Sequence, residues 1–99
     1  MPGETPSSPQ DTVIDNPARQ RFEMAVQGLL AFADYRRQPG VFVVTHVETP
    51  PALRGGGVAA RLMTGVMGIA RQTGMKVAPI CPYADAFMRR HPEYQDLVA

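Results

Sequence analysis

The glycine run in Arg54-Gly55-Gly56-Gly57-Val58-Ala59 is the strongest constraint on what this chain can fold into. It follows an almost unbroken β-branched stretch, Val41 to Glu48, and the pair Pro50-Pro51. It opens directly into a segment whose apolar residues, Val58, Ala59, Leu62, Met63, Val66, Ile69 and Ala70, recur at helical spacing. A glycine turn between strand and helix leaves several backbone N–H groups unpaired and aimed one way, at the positive end of the helix dipole. That is an anion site, and a diphosphate is its usual occupant.

The segments around this turn set the architecture. Val13-Ile14 begins a short strand that ends at Asp15-Asn16-Pro17. From Arg19 to Val26 the chain alternates, with Phe22, Met24 and Val26 on one face and Arg21, Glu23 and Ala25 on the other, which predicts a half-buried strand. Gln27-Gly28 reads as a hairpin turn, Leu29 to Arg36 as the returning strand, and Arg37-Gln38-Pro39-Gly40 as a further turn. Val41 to Glu48 is expected to be central and buried on both faces. Beyond the long helix, Thr73-Gly74 is its stop and Met75 to Ile80 a buried strand. That strand runs parallel to 41–48 through a right-handed crossover. Pro82 starts a second helix that ends near Arg90, before His91-Pro92. Gly65 and Gly68 each cost the long helix up to ~1 kcal/mol against alanine, which implies close approach of that helix to the sheet. The fold class is therefore α/β with a mixed sheet: an antiparallel meander followed by a β-α-β-α unit.

Ninety-nine residues make one domain. Residues 1–11 are rich in Pro, Ser and Thr and are expected to form a disordered tail, with the domain occupying 12–99. A domain of this size is marginal alone, so a monomer or a weak homodimer is expected. Ten Lys and Arg stand against nine Asp and Glu, a formal charge of +1, so no basic field points to nucleic acid. The lone Cys81 excludes an internal disulfide framework and a cysteine-based zinc site, and it fits a reducing compartment. No metal is expected. No stretch is apolar enough to span a bilayer, and Met1 to Gln10 lacks a signal-like apolar region. The expected location is the cytoplasm.

Two phosphate-loop readings fail. No Lys-Ser/Thr pair closes the loop, as a nucleotide P-loop requires. The glycines follow several antiparallel strands, and no ribose-binding acid lies in Lys76 to Ile80, against the dinucleotide fingerprint. Arg-x-x-Gly-x-Ala after a long strand instead resembles the acyl-CoA pyrophosphate loop of the GNAT superfamily of N-acetyltransferases. Thr45 to Ala59, Gly74 to Tyr83, Arg89 to Tyr94 and the strand Leu30 to Tyr35 are similar to the small, single-domain, YjdJ-type branch of that superfamily. The resemblance covers about residues 13–98.

The resemblance implies a minimal GNAT fold in which the 41–48 and 75–80 strands start together and splay apart. The pantetheine arm of acetyl-CoA would enter the gap and pair with the first strand's backbone around Val47. The pyrophosphate would rest on the loop N–H groups of Arg54, Gly55, Gly56, Gly57, Val58, Ala59 and Ala60. The superfamily motif is permissive at Gly55 and Gly56, whereas a larger side chain at Gly57 or Ala59 would fill the phosphate space. Tyr83, Arg90 and His91 would line the rest of the coenzyme site, with Arg89-Arg90 and His91 toward its 3′-phosphate or adenine end. A solvated helix face is the alternative for the arginines.

Acetyl transfer to an amine needs a base for the amine proton and a proton for the departing thiolate. His46 and Glu48 lie two apart on one strand and share a face, so either could serve as the base. Cys81, ahead of a helix N-terminus, reads either as a nucleophile or as a small buried side chain. Many members of the superfamily place a Tyr about seven residues after the splayed strand to protonate the thiolate. That position is Met88 here, which has no proton to give, so Tyr83, Cys81 or solvent must substitute. The implied function is transfer of acetyl from acetyl-CoA to a primary amine on a small molecule or a protein lysine. A non-catalytic acyl-CoA-binding module is the alternative. The Met63, Met67 and Met75 stripe reads as ordinary core.

Overall fold

A computed structural model describes residues 12–99; the expected tail, residues 1–11, lies outside the described residues. The elements in chain order are β1 (Val13–Asn16), β2 (Arg21–Val26), β3 (Leu29–Gln38), β4 (Val41–Glu48), α1 (Val58–Thr73), β5 (Lys76–Pro79) and α2 (Pro82–Arg90). Two 3-10 segments, Pro51–Leu53 and Pro92–Leu97, precede α1 and follow α2. The strands form one sheet in the order β1-β2-β3-β4-β5, antiparallel through β4 and parallel between β4 and β5.

Period-two patterning decides which sheet face is dry. Phe22, Met24 and Val26 of β2 and Ala31, Ala33 and Tyr35 of β3 are buried in a single core cluster. Arg21 and Glu23 point to the other face and pair there at 2.8 Å. The β2–β3 turn has Gln27 at φ 53° and Gly28 at φ 77°, the doubly left-handed geometry of a tight hairpin. β3 runs on to Gln38, past the expected stop at Arg36, so only Pro39-Gly40 make the next turn.

Of the stripe predicted for α1, Val58, Leu62, Met63, Val66 and Ala70 are buried, with Met67 beside them, whereas Ala59 and Ile69 are only half-buried. Gly74 caps the helix in the left-handed region, at φ 71°. The close approach inferred from the internal glycines holds at one of them. A Cβ at Gly65 would run into the Val13 side chain, whereas at Gly68 it would meet nothing within 4 Å. Val66 packs in the same cluster as Phe22 and Val44, so α1 covers the dry face directly.

Two expectations about strand burial need correction. β4 is buried without interruption only over Phe42, Val43 and Val44; His46 beyond them is exposed. β5 spans four residues rather than six and lies beside β4 at the sheet's edge, with Lys76 exposed and Ile80, just past its end, 64% exposed. Its outer side meets a one-residue parallel bridge, Val77 to Val98. Arg71 holds that C-terminal stretch through two bonds to the Asp96 carboxylate, 2.7 and 3.2 Å, and one to the Glu93 carbonyl, 3.1 Å. Among the described residues, no helix is long and apolar enough to cross a membrane.

Candidate functional site

Pairing between β4 and β5 runs from Val41 opposite Lys76 to Val44 opposite Pro79. It closes where the N–H groups of Ile80 and Cys81 both donate to the Val44 carbonyl, each at 3.0 Å. The chain then turns into α2, while β4 continues to Glu48. The two parallel strands thus part at Val44, and Thr45 to Glu48 present a strand edge that β5 does not pair.

A bulge in β4 sets the direction of the side chains beyond that point. Asp34 pairs with His46 and the next residue, Tyr35, pairs with Val44, so Thr45 is the extra residue. Its hydroxyl donates to the Asp34 carbonyl at 3.4 Å. The bulge turns His46 and Glu48 away from the core face that Phe42 and Val44 occupy. His46 and Glu48 then lie beside Asp34 and Phe32, their partners on β3. His46 Nε2 is 2.8 Å from Glu48 Oε1, and Arg54 approaches the other Glu48 oxygen at 3.6 Å. Arg54 Nε also donates to the Thr49 carbonyl, 3.3 Å. The sequence-predicted pair therefore does share a face, and Arg54 joins it to the glycine loop.

The loop itself takes its shape from its glycines. Pro51–Leu53 forms a 3-10 turn, Arg54 is extended, and Gly55 (φ 85°) and Gly57 (φ 76°) are left-handed. Gly55 is therefore conformationally required, against the expectation that it is merely tolerated; Gly56 has no such demand. Gly57 is the N-cap of α1, and the first intrahelical bond is Arg61 N–H to the Gly57 carbonyl, 3.1 Å. The N–H groups of Val58, Ala59 and Ala60 precede it, so they have no intrahelical acceptor. No side chain caps them, and no acid occupies the first turn. A Cβ built on Gly55 or Gly57 meets nothing within 4 Å, so both face open space.

That space is a cleft of about 250 Å³ lined by Thr49, Leu53, Arg54, Gly55, Gly57, Val58, Ala59, Ala60 and Tyr83. Burial pushes the Tyr83 phenol above its ordinary pKa, with Arg90 acting against it, so the hydroxyl stays protonated at neutral pH. Cys81 is elsewhere: it caps α2, is 6% exposed and belongs to the core cluster with Ala84 and Phe87. Met88 is buried in the same cluster. His91 is held at the far end of α2, its Nδ1 bonded to the Phe87 carbonyl at 2.7 Å and its ring stacked on Phe87 at 4.1 Å. Val47 packs against the core from β4. Sequence reasoning missed Thr49 and Leu53, although the Pro50-Pro51 pair beside them signals the rigid entry to the loop.

The family profile of the GCN5-related N-acetyl-transferases matches residues 21–97. No curated protein matches the chain. Among solved structures, the chain is similar to the NMR solution structure of a GCN5-like candidate N-acetyltransferase from Staphylococcus aureus, with a TM-score of 0.64 and 19% identity. The match covers 91% of this chain and 89% of that one, and at this identity it speaks for the fold alone. A profile match spanning β2 to the C-terminal segment, over a sheet that parts beside a glycine loop, settles the family: the chain belongs to the GCN5-related N-acetyltransferases.

Proposed function

We propose that this protein transfers the acetyl group of acetyl-CoA to a primary amine. The observation that carries this reading is the junction of two features. The uncapped N-terminus of α1 opens into a cleft, and that cleft lies where β4 runs on past its last pairing with β5. The residues present fit the coenzyme: left-handed glycines facing open space, free N–H groups and one flanking guanidinium suit a diphosphate. The unpaired edge of β4 around Val47 suits the amides of the pantetheine arm.

In this reading the amine nitrogen bonds to the thioester carbon and the carbon–sulfur bond breaks. The amine proton passes to the His46–Glu48 pair, directly or through water. Tyr83, protonated and in the cleft, gives its proton to the departing thiolate. Attack is direct rather than through an acetylated cysteine, since Cys81 is packed into the core. The alternative of a non-catalytic acyl-CoA-binding module draws on one observation, the apolar Met88 buried where a proton donor is expected.

Release of free CoA thiol from acetyl-CoA with polyamines, lysine peptides and small amines tests the proposal. Turnover that falls ~10²–10⁴-fold in His46→Gln or Glu48→Gln, with coenzyme affinity retained, supports it. Coenzyme binding without thiol release for any amine would favour the binding module. The loop is tested by Ala59→Trp, which should fill the cleft and abolish binding. Gly57→Trp is a poorer probe because φ 76° strains any side chain there.

A further inference from the structure

The open face of the sheet carries two cross-strand rows beside the His46–Glu48 pair. In one, Phe32 lies between Glu23 on β2 and Glu48 on β4; in the next, Asp34 lies between Arg21 and His46. Asp34 is half-buried. Among the described residues its carboxylate has no hydrogen-bond or ion-pair partner, and only its backbone carbonyl is engaged, by the Thr45 hydroxyl. We infer that this carboxylate anchors the far end of the acceptor, and that the acceptor is a short aliphatic diamine. The near nitrogen, deprotonated by the His46–Glu48 pair, takes the acetyl group, while the far one stays an ammonium on Asp34. The inference rests on the transfer reaction proposed above and deepens it, because it names the class of acceptor.

A half-buried carboxylate is partly stripped of water, and a cation bonded to it offsets that loss. This face already holds one cation in such a way. Arg21, the neighbour of Asp34 on β2, turns toward the other row, where its Nε bonds Glu23 at 2.8 Å and its guanidinium lies 4.4 Å from the centre of the Phe32 ring. Asp34 offers a second anionic place on the same surface, next to the candidate base. Neighbouring strands lie about 4.8 Å apart, and a bonded nitrogen stands about 3 Å from its partner. A reacting nitrogen at the His46–Glu48 pair and an ammonium on Asp34 would thus be roughly 5–10 Å apart, the reach of about four to six methylenes. The surface beside that path is apolar, since the Phe32 ring centre is 6.4 Å from that of His46. A lysine inside a peptide fits less well. Its four-carbon stem ends in neutral backbone amides, which would leave the Asp34 carboxylate without a cation.

Steady-state release of coenzyme thiol from acetyl-CoA by the full chain tests the inference, with putrescine set against n-butylamine and cadaverine against n-pentylamine. Each pair differs by one ammonium at the far end. In the wild-type chain kcat/KM should favour the diamine about ten- to hundredfold, the contribution of one charge-assisted contact, and the difference should lie mainly in KM. In Asp34→Asn that preference should disappear, whereas Asp34→Glu, which keeps the charge on a longer stem, should retain part of it. Calorimetry should give Asp34→Asn the wild-type affinity for acetyl-CoA, which shows that the variant is folded. Equal wild-type kcat/KM within each pair overturns the inference and leaves the transfer reaction standing. A preference that survives in Asp34→Asn does the same, as does an internal lysine peptide that outpaces both diamines. Thiol release with none of the amines overturns the transfer reaction itself, and the diamine assignment with it.

Discussion

Val44 and Val47 both pack against the hydrophobic core although they stand three positions apart on one strand. The β4 bulge at Thr45 makes this possible. In a regular strand, period-two alternation would put Phe42, Val44, His46 and Glu48 on one face, and the candidate base pair would be driven into the core. The extra residue reverses the phase, so both valines face the core and His46 and Glu48 reach the open face.

Deleting Thr45 should therefore be tolerated, because the strand without it is regular and keeps its facing. With the extra residue gone, Val44 still faces the core opposite Tyr35, His46 faces out opposite Asp34 and Val47 faces in, as in the bulged strand. Thr45→Val keeps the bulge, loses only the long bond to Asp34 and should change stability by about 1 kcal/mol or less. Urea unfolding followed by circular dichroism should show a cooperative transition for both variants. A deletion variant with no cooperative transition would show that Thr45 is not simply an extra residue in the ladder.

The three loop glycines should respond differently to alanine. Gly55 and Gly57 are left-handed, so a Cβ costs each about 1–2 kcal/mol. A Cβ on Gly56 would meet only the Leu53 carbonyl, at an ordinary 3.6 Å. Thermal unfolding should drop by roughly 4–8 °C per kcal/mol in Gly55→Ala and Gly57→Ala and stay within a degree or two in Gly56→Ala. Equal effects at all three positions would contradict the loop conformation. Gly57→Asn should recover part of the loss, because asparagine tolerates this region better than alanine.

Much of this architecture is legible in the residues alone. The alternation of Phe22, Met24 and Val26, the Gln27-Gly28 turn and the α1 stripe are local patterns, and local patterns survive into the fold. The glycine loop is legible for the same reason, since its signal is the missing side chains themselves. The bulge is not, because one added residue changes the facing of every residue after it without changing composition. Nor is the burial of Cys81: its place before Pro82 marks a helix start, but only the assembly of the core that also holds Ala84 and Phe87 decides whether the thiol meets core or cleft. A further cleft, lined by Gln27, Leu53, Arg54 and Arg61, is also invisible in sequence, since Gln27 and Arg61 are brought together only when the hairpin tip meets the start of α1.

The C-terminal clasp should be sensitive to acid. The hydrogen bonds from Arg71 hold the Asp96 carboxyl below its ordinary pKa. A folded-state pKa below the unfolded value contributes stability above the ordinary carboxylate range and loses it as pH falls through the lowered folded value. Because the pair is exposed, the effect should be local rather than global. Hydrogen exchange at the Ala99 amide, which donates to the Val77 carbonyl at 2.9 Å, is a direct reporter. Relative to Asp96→Asn, the wild-type chain should protect this amide at pH ~7 and lose that advantage near pH ~2. An advantage that persists at the acid end would place its origin outside the Arg71–Asp96 pair.

Tyr35 should set the alkaline limit. Its ring packs between Phe22 and Phe42, with centroids 4.8 and 5.0 Å away. Its hydroxyl donates to an Asp15 oxygen on β1. Burial first, and the Asp15 carboxylate second, push the phenol up to about 12 from its ordinary value near 10. The folded pKa is raised, so the contribution is fully present below pH ~10 and disappears as pH climbs through the folded value. Stability measured by urea unfolding should therefore decline between pH ~10 and ~12 in the wild-type chain. Tyr35→Phe removes the ionisation and should flatten that decline, while lowering stability at pH 7 by about 1–2 kcal/mol for the lost hydrogen bond. An alkaline slope unchanged in Tyr35→Phe would mean that the titrating group lies elsewhere, with Tyr83 the next phenol to test, since burial raises its pKa too.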